Sequence, residues 1–171
     1  AIKAIRHCVE TRGATLICIA GPRSMPFAVR NPLFQAMLPV VGSTTNAFAT
    51  PSQTEFRVAM TSTGRSHEIM SLSTSQMEND ARWNAQPPWR WRLPVDAVKP
   101  GAKILAVAAP NEPGADSTFT LDAATAASPE AAVAAFAERR REDMRRALVV
   151  TQPYGAGKVL VLLTDQTWRL R

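Results

Sequence analysis

An apolar run between two glycines decides the fold: residues 13–21 read GATLICIAG. Every side chain over residues 16–20 is apolar, so a strand here has two apolar faces, which is typical of a buried strand in a parallel sheet. Residues 2–9 place isoleucine and valine at helical spacing, and Gly13 is a helix stop signal. Helix, glycine and strand in this order predict half of a β-α-β unit.

Alternating helices and strands are predicted downstream of this unit. Helices are predicted from Asn31-Pro32 to Pro39, from a capping box of Ser75 and Glu78 to Trp83, and over 128–146; strands are predicted over 55–60, 103–109, 148–152 and 158–164. A glycine-bearing turn at residues 154–157 joins the last two strands. The sequence therefore predicts an α/β fold with a mostly parallel sheet and a C-terminal antiparallel hairpin.

Length and composition are those of one folded domain over residues 1–171. Of the 171 residues, 46% are hydrophobic and 20% are charged, a composition that excludes wholesale disorder. A chain of this length is also long enough to bury a core. No apolar run reaches the roughly 20 residues of a membrane-spanning helix, so we expect a membrane anchor only outside this chain. Composition thus indicates a folded globular domain.

The net charge of +6 gives a general attraction to polyanions. Arginines gather at residues 139–146, near the end of a predicted helix, where they complement the helix dipole. No aromatic residues are interleaved with them for base stacking. We therefore do not expect a nucleic-acid partner, and polyanion binding through this helix is the weaker alternative.

Cys18 is the residue to test as a nucleophile, because it lies near the end of a predicted strand. A nucleophile elbow needs small residues at two-residue spacing, whereas Cys18 has Ile17 and Ile19 as neighbours. Cys8 and Cys18 have no metal-ligand spacing, and no histidine is placed to form a dyad. The sequence therefore predicts no catalytic residue, no metal ligand and no cofactor.

A polar and aromatic cluster follows the last predicted strand. Asp165, Trp168 and Arg169 come where ligands usually bind, at the carboxyl edge of an α/β sheet. Alternatively, Asp165 caps the next turn and Trp168 packs on the sheet. His67, which follows a glycine-containing turn, is a further candidate for ligand or partner binding.

Several segments carry a resemblance to a known family. In order they are residues 12–21, Asn31-Pro32-Leu33 with 37–40, Thr61–Gly64 with His67, the tryptophan-containing stretch through Leu93-Pro94 into 99–102, and 154–160 into 164–169. Together they resemble the class I glutamine amidotransferase-like domain of large uncharacterised bacterial membrane proteins, often found beside von Willebrand A-type domains.

The resemblance implies a flavodoxin-like three-layer sandwich in the bacterial cell envelope, as part of a membrane-anchored protein. Domains of this kind begin with further strands before Ala1 and continue past Arg169 into another helix, so we expect a chain truncated at both ends, with an insertion at about 110–146. Absent strands would leave an exposed sheet edge. The partners implied are the remainder of the parent chain, another protein, or a second copy at that edge.

The catalytic pattern of the family is missing from this sequence. Class I amidotransferases use a cysteine in a glycine-flanked elbow with a His-x-Glu pair, whereas here the elbow position aligns nearer Ile19 and His67 is directly followed by Glu68. We therefore expect a non-catalytic domain that serves protein interaction or ligand sensing. The alternative is a cysteine- or histidine-dependent amidohydrolase or glutamine amidotransferase.

Overall fold

Helices and strands alternate along the chain. The structure is a computed structural model, and it describes residues 1–22, 25–42, 55–111 and 128–170, without the side chains of 169 and 170. The helices are α1 (Ile2–Arg12), α2 (Pro32–Met37), α3 (Ser62–Arg65), α4 (Gln76–Asn84) and α5 (Pro129–Arg145). The strands are β1 (Thr15–Ile19), β2 (Val40–Val41), β3 (Phe56–Met60), β4 (Ala97–Val98), β5 (Lys103–Pro110), β6 (Ala147–Tyr154) and β7 (Gly157–Leu162). Short 3₁₀ turns span Glu68–Met70 and Gln166–Leu170. The mixed α/β character predicted from the sequence is confirmed.

A five-stranded sheet in the order β1-β7-β6-β5-β3 forms the centre of the fold. β1 is parallel to β7, as predicted for a strand of a parallel sheet, and β6 and β7 form the predicted antiparallel hairpin. The pairs β5–β6 and β3–β5 are also antiparallel, so the predicted predominance of parallel pairs does not hold. Apolar runs arise wherever both faces of a strand are covered, and they do not report strand direction.

Local capping explains where two helices begin. The Asn31 side chain accepts hydrogen bonds from the backbone N–H groups of Leu33 and Phe34, at 3.0 and 3.3 Å, which starts α2. The Ser128 hydroxyl accepts from the N–H of Ala131 at the start of α5. The capping box predicted for α4 is wrong, because the Ser75 side chain makes no cap hydrogen bond there.

Two apolar cores lie on opposite faces of the sheet, because successive strand side chains alternate. On β7, Val159 and Val161 point into the first core, which α1 and α2 cover, while Leu160 points into the second, which α4 covers. Residues 89–93 link the two cores: Trp89 is buried in the second core and Trp91 in the first. Helices thus pack on both faces of the sheet.

The described residues cover only part of what two predictions about chain organisation concern. Residues 112–127 of the predicted insertion lie outside them, while residues 110–111 and the part from 128 to 146, which contains α5, are described. Within the described ranges, no helix is both long enough and apolar enough to cross a membrane.

Candidate functional site

The Cys18 thiol is buried in the first core, with a side chain only 2% exposed. Burial raises the pKa of this thiol to about 11, because the thiolate would lose its hydration. A catalytic cysteine needs the opposite environment, one that is partly exposed and lowers the thiol pKa. At neutral pH Cys18 is therefore a protonated core residue.

His67 has a local structural role at the start of a 3₁₀ turn. Its Nδ1 accepts a hydrogen bond from the backbone N–H of Ile69 at 3.3 Å. It follows β3, and β3 and β1 are the two outer strands of the sheet, roughly 19 Å apart at about 4.8 Å per strand spacing. The structure therefore does not bring His67 to Cys18.

Asp165 and Trp168 lie at the carboxyl end of β7, as the sequence predicts. Both side chains are exposed, Trp168 to 61%, so Trp168 is not buried in the core of the sheet. Thr164, rather than Asp165, caps the following turn: its hydroxyl accepts from the N–H of Gln166 at 3.2 Å and donates to the carbonyl of Trp91 at 2.9 Å.

The four predicted site residues do not form one cluster. His67 follows β3 and α3 whereas Asp165 follows β7, and β5 and β6 lie between β3 and β7 in the sheet. The side chain of Arg169 lies outside the described residues. Across the described ranges, no group of three or more histidine, cysteine, aspartate or glutamate side chains could hold a metal ion.

The outer face of β1 exposes two large apolar side chains. Ile17 is 55% exposed and Ile19 is 49% exposed, although the sequence predicts that both faces of this strand are buried. β1 is an outer strand of the sheet, and α1 packs only on the face that carries Cys18, while α4 packs near β3 on the other side. Ile17 and Ile19 therefore extend an apolar surface up to a sheet edge.

A cleft of about 580 Å³ lies between α5 and β5 and reaches residues 61–65. Its size falls in the range of small-molecule sites. The 61–65 turn is held against β5, because the Thr61 hydroxyl donates to the carbonyl of Ile104 at 2.7 Å and the Thr61 N–H donates to that of Leu105 at 3.0 Å. The hydroxyl-bearing residues Ser62 and Thr63 thereby come to line the cleft.

The charged lining of the cleft is predominantly basic. Arg65, Lys103, Arg139 and Arg140 line it together with one carboxylate, Asp143. Arg139 is already paired, since its Nε lies 3.2 Å from Asp143 Oδ1. The pKa of Asp143 is nevertheless raised, because desolvation by burial outweighs the attraction of Arg139.

Sequence reasoning missed this cleft, because its cationic residues lie far apart in the chain. Arg65 follows β3, Lys103 opens β5, and Arg140 lies on α5. The basic cluster at 139–146 was the one available signal, and most of it forms ion pairs within α5 or at its end: Arg139 with Asp143, Arg141 with Glu138 and Arg146 with Glu142.

Comparisons of the chain with protein-family models, with curated proteins and with solved structures find no match.

Proposed function

We propose that this chain is a non-catalytic, class I glutamine amidotransferase-like domain that works by binding a protein or a small ligand. The proposal starts from the ordered segments that resemble that family, and the cell-envelope location belongs to the same resemblance. The observation that carries it is the burial of Cys18, whose thiol pKa is raised to about 11. A thiol in this state does not attack an amide at neutral pH.

The layering of the fold supports the proposal in part. Helices on both faces of a sheet and a parallel β1–β7 pair are compatible with a flavodoxin-like sandwich. The antiparallel pairs made by β3, β5 and β6 are a departure from that pattern. The proposed family therefore rests on the sequence segments. The proposed lack of glutaminase activity rests on the burial of Cys18 and on the separation of His67 from it.

Thiol labelling tests the proposal on the native chain. We expect a general thiol reagent to modify half-buried Cys8 first, and to modify Cys18 only as the protein unfolds.

Because the folded pKa of Cys18 lies above its ordinary value of 9.0, the unfolded chain loses this proton first. The contribution of the protonated Cys18 thiol to the free energy of unfolding is therefore complete below about pH 9. It is lost as pH rises towards 11.

The labelling experiment uses mass spectrometry, with Cys8→Ser and Cys18→Ala chains as controls for the assignment of each adduct. Rapid modification of Cys18 in the folded protein at neutral pH would contradict the proposal and favour the amidohydrolase or amidotransferase alternative. Retained circular dichroism during labelling shows that the reacting species is folded.

Protein interaction is the binding mode that the β1 edge favours. Among the described strands, β1 has a hydrogen-bonded neighbour only on its β7 side. Unpaired backbone groups beside exposed apolar side chains are the features that another strand recognises. A second copy of this chain offers the same edge, so two β1 strands can pair with Ile17 and Ile19 of both copies in contact.

Charge at this edge should therefore abolish self-association. We expect the wild-type chain to dimerise with rising concentration, and Ile17→Lys with Ile19→Lys to keep it monomeric, because lysines on an edge strand block pairing. Sedimentation velocity measures this, and Val133→Lys, on an exposed α5 position, is the matched control. A wild-type chain that stays monomeric at every concentration reached would refute self-association through β1.

A further inference from the structure

We infer that the cleft between α5 and β5 binds a small organic phosphate, a phosphate monoester whose organic group is apolar or aromatic. The inference names a ligand class for the sensing role and rests on the proposed non-catalytic function. It uses a different part of the molecule from Cys18 and from the β1 edge. Its failure is therefore distinguishable from theirs.

The charge of the lining selects an anion. Arg139 is neutralised by Asp143, which leaves Arg65, Lys103 and Arg140 as the cations of the cleft. Within the described ranges, neither Lys103 nor Arg140 has a carboxylate within ion-pair distance, and Arg65 reaches Asp80 only at 4.0 Å. Three cations from three different elements can surround a doubly charged phosphate, to which guanidinium groups bind in a bidentate manner.

Hydroxyl groups beside Arg65 add neutral donors to the lining of the cleft. Ser62 and Thr63 line it beside Arg65, and all three are exposed. The turn that presents them is fixed, because buried Gly64 contacts the backbone of β5 and the Thr61 hydroxyl bonds to it. Hydroxyl donors beside cations are a suitable environment for phosphate oxygens.

Apolar side chains from both α5 and β5 also line the cleft, and they select the organic group. Phe136 and Met144 line it from α5, and Ile104 and Val107 line it from β5. Phe136 is 55% exposed, so a bound ligand can cover part of its side chain. An apolar or aromatic substituent on the phosphate would cover this surface, which an inorganic ion would leave in water.

The cleft also distinguishes this ligand from a polyanion. A nucleic acid or polysaccharide needs an extended basic surface, but Arg141 and Arg145 of the same helix do not line the cleft, and Arg141 is paired with Glu138. The unneutralised charge is concentrated inside a cavity of about 580 Å³. A small molecule therefore fits the arrangement better than a polymer does.

Calorimetric titration of the full chain with phenyl phosphate at low salt tests the inference. We expect saturable binding at one site, weakened about tenfold or more in Lys103→Gln with Arg140→Gln, because two charged hydrogen-bond donors are lost. The control, Lys158→Gln with Arg141→Gln, removes the same two residue types outside the cleft and should retain the wild-type affinity. All four side chains are exposed, so both variants should fold, and circular dichroism verifies this.

Two further arms separate the parts of the ligand. Phe136→Ala should weaken phenyl phosphate while leaving the weaker binding of inorganic phosphate unchanged, and Val133→Ala, exposed on the same helix, should change neither. Phenol should not bind saturably. Equal weakening in the two charge variants, equal binding of phenol, or no saturable binding of phenyl phosphate would each overturn the inference, whatever the labelling of Cys18 shows.

Discussion

Gly64→Ala is expected to lower the free energy of unfolding by about 3 kcal/mol, the upper range for overpacking a rigid site. Gly64 is buried in α3, and a Cβ atom there would overlap the backbone carbonyl oxygen and carbon of Leu105 on β5. Both groups are backbone, so no flexible side chain can move aside. The loss in the free energy of unfolding therefore comes from steric overlap with Leu105. It does not come from backbone strain, because Gly64 does not have a positive φ.

Gly21→Ala is the matched control for this prediction. A Cβ atom at Gly21 meets no atom of the described residues within 4 Å, and φ at this position is not positive. We expect its free energy of unfolding to stay within about 1 kcal/mol of the wild-type value, with a slight gain from the smaller entropy of the unfolded chain. Urea denaturation of both variants measures the difference, and equal stabilities would show that the 61–65 turn does not press on β5.

Trp89→Ala is the second substitution with a large expected effect. Trp89 is 2% exposed and fills the core beneath α4, so removal of its side chain leaves a cavity. Burial of an indole predicts a loss of about 3 to 5 kcal/mol in the free energy of unfolding. The Nε1 of Trp89 has no hydrogen-bond partner among the described residues, so its removal relieves a small penalty and places the value near the lower end.

The backbone contacts of Trp89 do not contribute to this loss. Its N–H donates to the carbonyl of Phe56 at 2.8 Å and its carbonyl accepts from the Phe56 N–H at 2.9 Å, and alanine can make both bonds. Trp168→Ala is the control, because Trp168 is 61% exposed and its loss should cost less than about 1 kcal/mol. A Trp89→Ala variant as stable as Trp168→Ala would contradict the packing of residues 89–93 between the two cores.

The sequence was sufficient for elements that local chemistry determines. Asn31 and Ser128 cap α2 and α5, and Gly13 ends α1 with a φ of 72°. Each of these signals acts within a few residues, so no knowledge of the tertiary structure is needed to find it. The hairpin turn of β6 and β7 belongs to the same class.

Properties set by distant neighbours could not be predicted in this way. The direction of β5 and the exposure of Ile17 depend on which element lies beside each strand, and apolar composition does not encode that. The cleft is a stronger case, because Arg65, Lys103 and Arg140 meet only through the packing of α5 and the 61–65 turn on β5. Isolated exposed cations carry no local signal of a shared site.

The state of Cys18 connects the fold to the proposed function. The sequence lacks a nucleophile elbow around Cys18, and in the structure this thiol is 2% exposed and burial raises its pKa to about 11. The central claim is thus the proposal that this chain is an amidotransferase-like domain that binds without performing glutaminase chemistry.

The most direct test of that claim is intact-mass analysis of the folded chain after exposure to a glutamine-like electrophile. Cys18→Ala identifies any adduct at that thiol, and a general thiol reagent on the unfolded chain confirms that Cys18 can react once exposed. The account predicts no glutamine-analogue adduct on the folded wild-type chain. A stoichiometric adduct that Cys18→Ala abolishes would contradict it and establish Cys18 as a nucleophile.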